Sequence, residues 1–129
     1  MSSVGRQLNA QIDAKVRRVL MFVWGRLTLH SPVGNPDLWT VAMPPAGYVG
    51  GHFRANWQLG IGSIPAGVVS GTGNPVMAAL PVDRLGGVVY HFVNNVDYAE
   101  RLENGYSSQA PAGGIVALTA TETRAAFNL

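Results

Sequence analysis

The chain has 129 residues, 47% of them hydrophobic and only 12% charged, with 16 glycines and 8 prolines. That matches one domain with a substantial core, since single domains commonly run to about 100–150 residues. The absence of cysteine excludes a disulfide frame and a thiolate metal site, and a net charge of +2 is too small to demand nucleic acid.

Charged residues stand at about half their usual share of roughly 25%. So sparse a charged surface on so apolar a chain implies that part of it is covered by a partner or by other copies. The charge is also uneven. Residues 1–60 carry Arg6, Lys15, Arg17, Arg18, Arg26 and Arg54 against Asp13 and Asp37, whereas residues 61–129 carry Arg84, Arg101 and Arg124 against Asp83, Asp97, Glu100, Glu103 and Glu122. Such asymmetry suits head-to-tail contact between copies.

In chain order, the first expected element is a helix from Ser3 to about Leu29. Val4, Leu8, Ile12, Val16, Val19, Leu20, Val23, Trp24 and Leu27 recur at the three-and-four spacing of one helical face. At about 1.5 Å per residue it spans roughly 35–40 Å, long for so small a domain. Pro32 and Pro36 stop it. Ser31–Gly51 follows as an extended Pro/Gly-rich arm with no period, whose Val33, Leu38, Trp39, Val41, Met43 and Tyr48 need cover.

His52–Gly62 alternates Phe53, Ala55, Trp57, Leu59 and Ile61 with polar or small residues and predicts a half-buried strand. Val68-Val69 predicts a short strand, Ser70–Pro75 a turn or mobile loop tip, and Val76–Leu80 one helical turn. A strand is expected over Gly87–Val93, then a short helix capped by Asn95 or Asp97, faced by Tyr98, Ala99 and Leu102 and stopped by Gly105. Ile115–Leu118 predicts a further strand. Thr119-Ala120-Thr121-Glu122 matches a capping box opening a final helix to about Phe127. The sum is a single α+β domain over residues 1–129, with a long N-terminal helix and short helices on a small, mostly antiparallel sheet.

Chemistry-bearing patterns are thin. His30, His52 and His91 lack metal-ligand spacing, and the glycines around Gly47–Gly51 and Gly60–Gly67 match neither a phosphate-binding nor a dinucleotide pattern. Ser107 and Ser108 lack a nucleophile elbow. Glu100 and Glu103, three apart, read as a solvated helix edge. Neither a catalytic residue nor a cofactor-binding or metal-binding residue is assigned. The longest apolar run, Val19–Trp24, is far short of the roughly 20 residues that span a bilayer, and no secretory leader pattern opens the chain. A soluble protein is expected, with no membrane partner.

Two stretches carry a resemblance. One is S-P-V-G-N-P-D-L-W followed by G-Y-V-G-G-H-F-R-A-N-W, within Ser31–Trp57. The other is N-N-V-D-Y-A-E-R-L-E-N-G-Y-S-S-Q-A-P-A-G, from Asn94 to Gly113, inside the organising stretch Val88–Ala117. Both resemble the small neck or tail-completion proteins of tailed bacteriophages, in which a helix leads to S/T-P-V, then G-x-[FL]-R-x-[SN]-W, then N-N-x-x-Y-A-x-x-[LI]-E-x-G-x-S-x-Q-A-P-x-G. The chain departs from that pattern at His52, Asp97 and the Gly113-Gly114 pair.

The resemblance implies a virion structural protein and not an enzyme. It implies a homo-oligomeric ring in the head-tail joint, assembled in the host cytoplasm, around double-stranded DNA that passes without sequence-specific contact. The implied partners are the other neck and tail proteins: connector or stopper, tail terminator and tail tube. The subunit interface expected on this basis comprises Pro32, Pro36, Leu38, Trp39, Tyr48, Arg54, Trp57, Asn94, Asn95, Tyr98, Glu103, Gly105, Gln109 and Pro111. The competing readings are a small hydrolase using His52 or His91 with Glu103, and a DNA-binding accessory protein.

Overall fold

The computed structural model describes residues 3–31, 51–104 and 114–129. The arm residues 32–50, with Pro32, Pro36, Leu38, Trp39 and Tyr48, lie outside the described residues, as do Gly105, Gln109 and Pro111. The architecture is α+β: helix α1 (Ser3–His30), α2 (His52–Ala55), strands β1 (Trp57–Ile61) and β2 (Tyr90–Asn94), then α3 (Ala99–Glu103) and α4 (Ile115–Phe127).

With 28 residues, α1 is about 42 Å long. Its C-terminal half covers the core: Leu27 packs with Phe53, Trp57, Val96, Tyr98, Leu102 and Ile115, flanked by Val23, Trp24, Phe92 and Ala99. Aromatic edges organise this cluster, with Phe53 edge-on to Trp57 at 5.7 Å between ring centroids and Trp24 tilted on Phe92 at 6.4 Å. The two strands pair antiparallel from Trp57 opposite Asn94 to Ile61 opposite Tyr90. Helix α4 runs back along α1, since Glu122 meets Arg26 and His30 while Phe127 stands edge-on to Phe22.

The middle of α1 holds the 81–90 segment. The Asp13 carboxylate accepts the consecutive amides of Arg84 (3.1 Å) and Leu85 (2.9 Å). Arg17 donates to the Pro81 carbonyl at 2.9 Å, and the Tyr90 hydroxyl donates to the Leu85 carbonyl at 2.6 Å. Leu85 is fully buried in consequence.

Six local expectations change. The half predicted strand before Trp57 is the helical turn α2. Gly51 enters it in the left-handed region (φ 82°), and Asn56 closes it by donating to the His52 carbonyl at 2.9 Å. Phe53 and Trp57, four apart, reach one core from a helical turn followed by a strand, so alternation alone misplaced the boundary. Val68-Val69 is not a strand: the 63–73 segment runs beside 51–60 as a strap held by side chains instead of a ladder. Val76–Leu80 forms no helical turn.

The strand expected over Gly87–Val93 begins only at Tyr90, because Gly87 turns the chain at φ 75°. Finally, α3 starts after Tyr98 with no side-chain cap from Asn95 or Asp97, and Ile115–Leu118 is the first turn of α4, not a strand.

Candidate functional site

Ser31, Arg54 and Trp57, from the first quoted stretch, meet in one polar knot where α1 ends. The Ser31 hydroxyl donates to the Leu27 carbonyl at 2.6 Å and accepts the Trp57 indole N–H at 2.7 Å. Its carbonyl accepts Nε (3.0 Å) and Nη2 (2.6 Å) of Arg54. A guanidinium there satisfies an orphan carbonyl and complements the negative end of the helix dipole. Ser31 and the F-R-A-N-W stretch thus meet as cap and anchor at the end of α1.

Asn56, fully buried, ties the strap to α2. Its amide donates to the carbonyls of His52 and Val69 (3.0 Å), and its Oδ1 accepts the Val69 N–H at 2.8 Å. The Asn94-Asn95 pair does the same from β2. Asn94 donates to the Phe53 carbonyl at 2.8 Å, and the exposed Asn95 donates to the carbonyls of Gly67 (2.9 Å) and Pro65 (3.2 Å). Glu103 crosses from α3 to open α4: its carboxylate accepts the Val116 N–H at 2.8 Å and the Ala117 N–H at 3.3 Å. An acid at that position satisfies two orphan donors and faces the positive end of the helix dipole. Gly114, at φ 106°, lies against that carboxylate, where a Cβ would collide with it.

Of the expected interface residues, therefore, Arg54, Trp57, Asn94 and Glu103 make bonds within the domain, and Trp57 and Tyr98 are each only 5% exposed. Asn95 alone of the described set is exposed. Sequence reasoning missed Glu103 as a cap and Asp13 as a loop anchor. Its place as the one acid of a helix that carries Arg6, Lys15, Arg17, Arg18 and Arg26 was the available signal for Asp13.

The histidines do not assemble with Glu103. His30 pairs with Glu122 at 2.5 Å beside Arg26, His52 lies 3.2 Å from the Gly71 carbonyl, and His91 stands on β2 opposite Gly60. Among the described residues no group of three or more acidic or histidine side chains gathers as a metal site, and no helix is long and apolar enough to cross a membrane.

Among the described residues three grooves flank α1. The smallest, of about 300 Å³, lies where Ile12, Val16 and Leu20 meet Leu85, Gly86 and Tyr90. The other two are larger. One, of about 400 Å³, is apolar and lies between α1, β2 and α4, lined by Val23, Leu27, Trp57, Phe92, Val116 and Thr119. The other, of about 660 Å³, lies between the start of α1 and the 83–87 loop. Its Asp13 is already bound to backbone amides.

What α1 leaves uncovered is the clearest surface feature. Val4 (74% exposed), Leu8 (54%) and Ile12 (41%) lie 18 residues before Phe22, Arg26 and His30. Eighteen residues make about five helical turns, so the two trios share one face. Helix α4 covers the second trio through Phe127 and Glu122 and stops there. Among the described residues no helix or strand covers the first trio, although Gly86 edges Ile12, and the exposed cations Lys15 and Arg18 stand beside it.

Comparison with known proteins gives no match: no protein-family model, curated protein or solved structure is similar enough to place the chain in a family.

Proposed function

We propose that the chain is a structural protein of the tailed-phage head-tail joint, a virion component that assembles as a ring around the DNA path between head connector and tail. The observation that carries this reading is the uncovered face of α1, apolar and basic, on a domain whose motif residues act as scaffold. A ring subunit needs a stiff body and a surface for its neighbour. A 28-residue helix capped by Arg54 and Ser31 supplies the first, and the Val4–Ile12 stretch supplies the second. The quoted sequence resemblance gives the reading its biological setting, with the connector, terminator and tube proteins as neighbours. DNA would pass without base-specific contact, so the isolated chain is expected to bind it weakly.

Mass spectrometry of gradient-purified particles from a culture that produces this chain tests the proposal. The chain is expected in joined particles at several copies each. Particles that lack it while remaining whole and infectious would rule the proposal out.

A further inference from the structure

We infer that the uncovered face of α1 docks on a second copy of the chain, head to tail, against the strap and the α3 turn of its neighbour. This rests on the ring reading above and names the two surfaces involved.

The covered half of α1 indicates what the uncovered half accepts. Over Phe22, Arg26 and His30, α4 supplies an apolar ring, Phe127, and a carboxylate, Glu122, that meets the Arg26 guanidinium and the His30 ring. Five turns earlier the same face presents Val4 and Leu8, with Ile12 edged by Gly86 and the exposed Lys15 and Arg18 beside them, and no helix or strand among the described residues covers it. The matching surface is therefore apolar with exposed acids. This chain has one: Ile64 (67% exposed), Val68 (57%) and Val69 (43%) project from the strap. Asn95 pins that strap, and the exposed Asp97 and Glu100 follow within five residues.

Parallel two-fold pairing of α1 with α1 would bring Lys15 and Arg18 of both copies together. Antiparallel pairing would set them beside the partner's positive helix N-terminus, which has no acid in its first turn. Like-charge repulsion disfavours both. Pairing unlike surfaces is heterologous, and it closes into a ring when the rotation permits.

The test uses the full chain and light scattering after size exclusion over a concentration series. Wild type is expected to associate with rising concentration. Leu8→Asp, the pair Lys15→Glu with Arg18→Glu, and the pair Asp97→Lys with Glu100→Lys are each expected to weaken association by about tenfold or more. All these positions are exposed, and unchanged thermal melting would show that each variant remains folded. Mixing the two charge-reversed proteins is the decisive arm, because each reversed surface then meets its complement and association returns. A wild type that stays monomeric, an acidic reversal without effect, or a mixture that stays dissociated would overturn the inference. Particle content separates the two proposals: a chain present in virions yet monomeric in solution removes this docking and leaves the virion role. A chain that associates but is absent from particles does the reverse.

Discussion

At the scale of single residues, the side chains that stand out in the sequence mostly hold the domain together. Glu103 shows how a short-range reading goes astray. On α3 it reads as a solvated edge, yet its carboxylate caps a helix that begins twelve residues later. Glu103→Ala is expected to lower stability by about 1–2 kcal/mol, the usual cost of a lost cap. Thermal or denaturant unfolding measures it, and Glu103→Gln should recover part of the loss.

Tyr90 gives a pH dependence with a definite sign. Burial, and secondarily the negative charge of Asp13, raise its hydroxyl above the ordinary value of 10.0. The unfolded chain therefore releases this proton first as pH rises. The stabilisation is complete below about pH 10 and is lost as pH climbs through the folded-state value. Tyr90→Phe should flatten the fall in stability over that alkaline window, as followed by denaturant melts at successive pH values, at the cost of the hydrogen bond to Leu85.

At the scale of elements, legibility follows the length of the pattern. The 28-residue α1 was readable because its three-and-four spacing repeats over many turns and Pro32 stops it. β1 and β2 were readable to within a few residues, but the His52–Ala55 turn was hidden because Phe53 and Trp57 fit either period. The start of α4 was unreadable for a physical reason. Its cap comes from another helix, so the local Thr119–Glu122 pattern named the wrong first turn. Thr119 is instead buried within α4, its hydroxyl without a hydrogen-bond partner among the described residues.

A buried unpaired hydroxyl is destabilising, and valine has nearly the same shape. Thr119→Val is therefore expected to leave the melting temperature unchanged or raise it. A marked fall would show that the hydroxyl has a partner in the folded protein.

At the scale of the whole molecule, low charge and uneven charge raise the expectation of contact with other chains, but they name no surface for it. The motif residues drew attention because they are polar and distinctive; folding places Arg54, Trp57, Asn94 and Glu103 in contacts inside the domain. Val4, Leu8 and Ile12 read as one more stretch of core-facing helix, and the point where α4 ends shows that, among the described residues, no helix or strand covers their half of the face. The same periodicity that predicts a helix cannot tell how far its partner extends.

We propose that this chain joins heads to tails. Electron microscopy of phage made without it tests that most directly. Filled heads and finished tails that accumulate separately, and join when the purified chain is restored, are the predicted result; normal yields of joined, infectious particles would contradict it.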